Sequence, residues 1–405
     1  MILLYQSLQG ITLSKTFDTM KILYIHNSNQ WGGATVALYR IVLAMKQKGH
    51  DVHVLTSNSS GPFREKLDAI GVEHYDHRLS LTIYPKVKNP LRWLRRTLRL
   101  VWRIHKEKAF IAEVIDKVKP DLVHTNVGPF SQAFDVCVKK RIPHVWHQRE
   151  YQDLDFGYHF FPSWRSFYRK IKSNLSYNIS ITKGIFEYRQ LRINKDVVIY
   201  DGVFSKQQIQ GLKNEKNKDS YILFAGRIEQ AKCPLALLVA FSHFHKKYPN
   251  VRLLLAGQYS EENEYYRKCK HYVESNDLSD IVSFLGSRMD IYNLMSKALM
   301  LVVPSRFEGF GFITAEAMVN RCVVVGRNTA GTKEQFDNGL EFTGKEIAYR
   351  FNNDDQLYES MVKAMENDNS EMVDAAYESV VHLYNVDDNI SKLEIFYKKI
   401  LGKKI

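Results

Sequence analysis

Cysteine is scarce in this chain: four in 405 residues, at positions 137, 233, 269 and 322. Their spacing fits neither a zinc motif nor a disulfide framework. Cys137, Cys233, Cys269 and Cys322 are therefore expected as small buried hydrophobes in a reducing, cytosolic setting. Long apolar runs are missing too, and none approaches the ~20 residues of a membrane-spanning helix. The opening stretch MILLYQSLQGITLSKTFDT lacks a basic segment followed by a continuous apolar one, so it makes a poor secretory signal. Residues 1–19 are expected to be an extension, either an artefact of an upstream start or a loose tail, with the fold beginning at Met20. There is no short-period repeat and no low-complexity segment. Acidic residues are deficient in one half only. Residues 1–200 carry 31 Lys and Arg against 16 Asp and Glu, whereas residues 201–405 carry 26 against 28. The whole net charge of +13 thus belongs to the first half, which predicts an anionic partner for that half alone.

What is present is a repeated strand–helix alternation. Lys21–His26 reads as a buried strand, Asn27–Gly33 as a turn-rich loop, Ala34–Lys48 as a helix and Asp51–Thr56 as a second strand. Such a βαβ unit implies a parallel sheet. Further strands are expected at Leu122–Thr125, His144–His147, Ile179–Thr182 and Val197–Tyr200. The pattern restarts at Tyr221–Ala225, Arg252–Ala256, Val282–Leu285, Leu299–Val303 and Val323–Gly326, and Ile390–Leu401 reads as a final helix. Two doubly wound α/β domains follow, spanning 20–203 and 204–385, with residues 386–405 as a terminal helical segment. Ligands of such sheets sit beyond the carboxyl ends of the strands, so two facing domains would enclose a cleft.

Several stretches place chemistry there. In PSRFEGFGFITAEAM (304–318), Glu308 follows a buried strand, Gly309 and Gly311 permit a tight turn, and a helix is expected from Phe312. The free N–H groups at that helix end suit a phosphate or a polar sugar. Glu308 could accept hydroxyl hydrogen bonds, and Glu316, about one turn into the helix, could take both hydroxyls of a ribose. In FAGRIEQAKCP (224–234), Gly226 makes the turn after a strand, and Arg227 and Lys232 could neutralise a diphosphate. In NSNQWGGA (27–34), Gly32 and Gly33 precede a helix start. His147 in IPHVWHQRE (142–150) stands at a strand end, and His144 is expected either on the opposite face of the cleft or in the core. Arg149 and Glu150 fit either the site or a brace for its loop.

PSRFEGFGFITAEAM resembles the paired-glutamate signature of retaining glycosyltransferases of family 4, which have the two-domain GT-B fold. The resemblance implies that Glu308 contacts the donor sugar and Glu316 the nucleotide ribose, with Gly309, Phe310, Gly311 and Phe312 bordering the donor. It implies that Arg227 and Lys232 carry the leaving diphosphate, although Cys233 stands where the family has glycine. Gly226 belongs to the same element. His147 would lie close to the donor sugar, and Gly32 and Gly33 beside the donor phosphates. GTKEQ (331–335) is similar to a family turn that brings Gly331 and Glu334 to the donor pocket. YDGV (200–203) is similar to an interdomain hinge turn with Asp201 in place of Asn. The terminal helix would return to the first domain. DLD (153–155) looks superficially like a metal clamp, but the family implies neither metal nor cofactor, with the nucleotide sugar as co-substrate.

The expected activity is transfer of a sugar from a UDP- or GDP-linked donor to an acceptor hydroxyl, with a lipid-linked or surface-polysaccharide acceptor as the setting. The alternatives are a nucleotide-sugar epimerase or phosphorylase of the same fold, or a non-catalytic basic protein of the membrane surface. Residues 84–108 interleave Arg92, Arg95, Arg96, Arg99 and Arg103 with Trp93, Leu94, Leu98 and Trp102. As a helix this stretch suits peripheral contact with an anionic bilayer at the inner face of the cell membrane. A helix packed on its sheet with a solvated basic face suits it equally, and nucleic acid is not expected.

Overall fold

The computed structural model describes residues 19–57, 60–212, 215 and 217–403. The expected N-terminal extension lies outside the described residues except for Thr19. The first sheet comprises β1 (Lys21–His26), β2 (Asp51–Thr56), β3 (Glu73–Asp76), β4 (Leu122–Thr125), β5 (His144–Gln148), β6 (Ser176–Ser180) and β7 (Val197–Val198), all parallel, in the order β3-β2-β1-β4-β5-β6-β7. The second comprises β8 (Tyr221–Ala225), β9 (Arg252–Ala256), β10 (Val282–Gly286), β11 (Met300–Val303), β12 (Val323–Arg327) and β13 (Tyr349–Phe351), in the order β10-β9-β8-β11-β12-β13. Strand order reverses between β1 and β4 and again between β8 and β11. Each reversal opens a crevice at the carboxyl ends of the strands. The two doubly wound domains are those the alternation predicted.

The central strands are short apolar runs buried on both faces, as parallel sheets require. All four residues of β4 and of β11 are buried. Two edge strands were not anticipated. β3 reads EHYD and β13 reads YRF, and partial exposure leaves both without the apolar run that marks the interior strands. The four cysteines are free and buried, as expected.

The chain passes between the domains twice at one place. Val203 N donates to Tyr384 O at 2.7 Å, and Phe204 bridges Asn385. A side chain at Gly202 would come within 2.5 Å of Val386 Cα. The terminal helix, Val386–Leu401, then returns to the first domain. Its Ile390, Leu393, Phe396 and Tyr397 complete a core with Met20, Ile22, Tyr24 and Leu38.

The basic stretch forms a helix from Pro90 to Val118. Asn89 caps it by accepting from Arg92 N at 2.9 Å, and Pro90 at its first turn needs no N–H partner. Its second half is anchored by buried Glu107, Ile111, Val114, Ile115 and Val118. Its first half leaves Leu91, Leu94, Leu98, Val101 and Trp102 exposed, from 47 to 75%. Among the described residues, no helix is long and apolar enough to cross a membrane.

Candidate active site

β11 ends at Val303, and the following loop delivers Glu308 to the carboxyl end of the second sheet. Helix Phe312–Val319 starts at the residue expected, behind Gly311 at φ +87°. That left-handed conformation admits glycine without strain. Glu308 does not stand alone. Lys232 Nζ donates to its two carboxylate oxygens at 2.7 and 2.8 Å. Lys232 ends the short turn Gln230–Lys232, and Cys233 follows at φ +52°. This left-handed conformation costs a residue with a side chain about 1–2 kcal/mol, at the position where the resemblance expected glycine. Arg227 is placed differently. Its side chain is 57% exposed and pairs with Glu229 at 2.8 Å. Gly226 N is tied to Ala256 O at 2.9 Å, which sets the start of this loop.

Glu316 is held between domains. Tyr292 Oη donates to it at 3.1 Å. Burial raises its carboxyl above the usual range, and Arg40 of the first domain opposes that rise. Arg40 also donates to Gly202 O at 2.8 Å and lies over the Phe312 ring at 5.8 Å.

Backbones approach closely around these acids. A Cβ at Gly309 would lie 2.2 Å from Arg149 O, across the cleft. A Cβ at Gly331 would lie within 2.8 Å of the carbonyl oxygens of Glu308, Gly309 and Phe310, and Gly331 N donates to Glu308 O at 2.9 Å. A Cβ at Gly33 would meet the Phe312 ring at 3.3 Å, whereas one at Gly32 would meet nothing within 4 Å. Phe310 is buried against Tyr384, so its backbone is what the loop presents. Glu334 reaches out of its own domain. It accepts from Lys183 N at 2.5 Å, Gly184 N at 2.8 Å and Tyr200 Oη at 2.8 Å. Its carboxylate caps the first-domain helix Lys183–Tyr188 and is engaged across the domain boundary.

His147 lies one residue before the end of β5 and is buried. Its Nδ1 is 3.3 Å from Arg149 Nη2 and 3.2 Å from His124 Nε2. Guanidinium only donates, so Nδ1 accepts and the neutral ring carries its proton on Nε2. Burial, with Arg149 and His124, holds the imidazole well below its usual pKa, so it is neutral. Nε2 is buried with no partner among the described residues. It is an N–H donor in need of an acceptor. Arg149 is braced by Asp201 at 2.6 and 2.7 Å and by Asn126 at 2.9 Å. Next to it, burial and Asp155 push the Glu150 carboxyl up to about 7. Of the two places expected for His144 the structure gives the core, where it is bonded to Thr125 and edge-on to Trp146.

Comparison with known proteins decides what this arrangement is. The family described as Glycosyl transferases group 1 matches residues 205–379, and the family described as Glycosyltransferase Family 4 matches residues 31–183. The chain belongs to the family 4 glycosyltransferases. Its similarity to the human alpha-1,3/1,6-mannosyltransferase ALG2 is 33% identity over 137 residues, 31% of this chain and 33% of that protein. The chain thus matches about a third of that relative's length. The capsular polysaccharide biosynthesis glycosyltransferase CapM of Staphylococcus aureus is 23% identical over 313 residues, 73% of this chain and 76% of that protein. Anabaena HepE, solved with UDP-glucose, superposes with a TM-score of 0.69 over 94% of this chain and 100% of that one, at 18% identity. That likeness shows the GT-B fold.

This family 4 member therefore joins Glu308, Lys232, Gly309 and Gly331 in one contact set and places Glu316 one turn deeper. Arg227 stands toward solvent. Asp153 and Asp155 are both engaged, with Tyr188 Oη at 2.5 Å and Tyr151 N at 2.9 Å respectively. Among the described residues, no group of three or more His, Cys, Asp or Glu is placed to hold a metal ion. Sequence reasoning missed Arg40, Tyr292, Asn126 and the Arg149–Asp201 pair. Arg40 lies seven residues after Gly33, two helical turns along one face, and that spacing was a usable signal. Tyr292 carried none.

Proposed function

We propose that the protein transfers a sugar, with retention of configuration and without a metal, from a nucleotide-diphosphate donor to an acceptor hydroxyl. The observation that carries this reading is the Lys232–Glu308 pair beside the helix that bears Glu316. A donor diphosphate would draw the Lys232 ammonium, releasing Glu308 to accept hydroxyls of the sugar. Glu316 would take the ribose. The Nε2–H of His147 would donate to a sugar oxygen. The acceptor oxygen then forms its bond to the anomeric carbon on the face that the phosphate oxygen leaves. Its proton passes to the leaving phosphate, and Lys232 and Arg227 stabilise the charge gathered there. The UDP-glucose held by HepE supports a uridine donor, and the capsular role of CapM supports a surface-glycan acceptor. The basic helix adds peripheral contact with an anionic membrane, its arginines meeting lipid charge and its exposed leucines and Trp102 the acyl boundary.

Thermal shift across nucleotide diphosphates and nucleotide sugars identifies the donor, since a ligand at 100 times its Kd stabilises by about 2.7 kcal/mol. With that donor, Lys232→Ala is expected to lower turnover by about 10²–10³. Near-parental turnover in EDTA-treated Lys232→Ala enzyme would remove Lys232 from the mechanism.

A further inference from the structure

Between the basic helix and the cleft lies a pocket that the transfer chemistry leaves unused. Residues 82–84 run antiparallel to 159–161. Ile83 bridges Phe160, Tyr84 N donates to His159 O at 2.7 Å, and Phe161 N donates to Thr82 O at 2.9 Å. This clasp frames an open pocket of about 660 Å³ lined by Tyr84, Lys86, Lys88, Trp93, Gly157 and His159 among others. That size lies within the usual range of ligand sites. The Tyr84 and Trp93 rings stack at 5.4 Å with 17° between their planes, which makes one wall flat and aromatic. Among the described residues, no carboxylate lines the pocket. Neither lysine is paired with a carboxylate among the described residues.

The two ends of the pocket differ. At the outer end, Asn89 and Pro90 begin the helix whose Leu91, Leu94, Leu98, Val101 and Trp102 are exposed. At the inner end, Lys86 lies over the Tyr158 ring at 4.9 Å. Tyr158 in turn feels the charges of Glu150 in its own domain and of Arg227 and Glu229 across the cleft. The order along the surface is therefore apolar stripe, aromatic wall with two cations, then reaction cleft. Tyr and Trp suit a boundary where one side is apolar and the other wet.

We propose that this pocket is the subsite for the diphosphate of a lipid-linked acceptor. The lipid runs along the exposed stripe, Lys86 and Lys88 hold the diphosphate, and the sugar end reaches the cleft past Tyr158. The assignment rests on the transferase reading for its purpose, but its test does not. Binding of farnesyl diphosphate to the full chain is measured by calorimetry, beside inorganic diphosphate. Farnesyl diphosphate is expected to bind, and Lys86→Gln/Lys88→Gln to weaken it roughly tenfold or more. Arg227→Ala/Lys232→Ala, which disables the donor phosphate site, is expected to bind it like the parent. Loss in that variant with retention in Lys86→Gln/Lys88→Gln would put the diphosphate in the donor site and overturn the proposal. So would absence of binding to the parent, or inorganic diphosphate binding as tightly as farnesyl diphosphate. Failure of every nucleotide sugar to turn over, with farnesyl diphosphate binding intact, would remove the transferase reading and leave the pocket standing.

Discussion

Glu308 and Glu316 lie in one loop–helix unit yet meet different neighbours, a lysine and a tyrosine, so their substitutions should separate. Glu316→Gln is expected to weaken both the bare nucleotide diphosphate and the whole donor, by roughly 1.5–3 kcal/mol. Glu308→Gln is expected to leave the bare nucleotide nearly untouched while lowering turnover, because the sugar loses alignment. Calorimetry reads the split, and equal loss of nucleotide affinity in both variants would show one shared role. Glu150 gives a pH signature. Its folded pKa of about 7 lies above the ordinary 4.5, so the folded state binds the proton more tightly than the unfolded state. Stability should therefore fall as pH rises from about 4.5 to about 7, then level off. Glu150→Gln should flatten that slope and melt higher than the parent at alkaline pH. An unchanged slope by thermal melts would mean that Glu150 is solvated. At this scale the acids and Lys232 were legible because strand, turn and helix are consecutive in sequence. Arg40 and Tyr292 come to Glu316 from elsewhere in the chain; the helical spacing of Arg40 from Gly33 was a signal that could have been used, and Tyr292 offered none.

At the scale of elements, most interior strands were readable to within a residue or two because burial on both faces demands apolar runs, but β6, expected at Ile179–Thr182, runs from Ser176 to Ser180, because its polar start SYN carries no such run. β3 and β13 were not, since an edge strand needs no such run. The long helix was legible in part. Its basic and apolar residues were evident, but the place where it leaves the body of the protein was not. The structure divides it: from Glu107 onward it is anchored, and before that Leu91, Leu94, Leu98, Val101 and Trp102 face outward while Trp93, Leu100 and Ile104 are half-buried. Changing Arg95, Arg96 and Arg99 to Gln should weaken binding to vesicles containing anionic lipid by about 1 kcal/mol per charge. Donor hydrolysis in solution should be retained. Cosedimentation that is equal for parent and variant would make the outward face a plain solvated surface.

At the scale of the molecule, two domains were visible because the strand–helix alternation stops and starts again. The hinge turn and the returning helix were expected from the family resemblance, but the side-chain contacts that hold the domains together were not visible, since they link residues more than a hundred positions apart without periodicity. Glu334 is the main example. Its three interdomain hydrogen bonds favour the arrangement in which Gly309 lies against Arg149. Glu334→Gln keeps the size of the side chain but loses the charge that strengthens all three bonds. Small-angle scattering should show a larger radius of gyration for Glu334→Gln without donor, returning toward the parent value when donor is added. Identical scattering from the two proteins would leave Glu334 as a helix cap only.

The returning helix Val386–Leu401 also bears on how the chain is made. The first domain's core contains Met20 and Ile22, near the beginning, together with Phe396 and Tyr397, near the end. A ribosome therefore releases the whole second domain before the first can close its own core. Domains made in sequence usually fold in sequence. Here the order is inverted for part of one face of the first sheet: helices bearing Leu38, Ile41, Phe63 and Leu67 cover the rest early, but the patch under the last helix stays open while roughly two hundred residues are still being added. Until the last helix arrives, that apolar patch is open to any other hydrophobic surface the nascent chain meets.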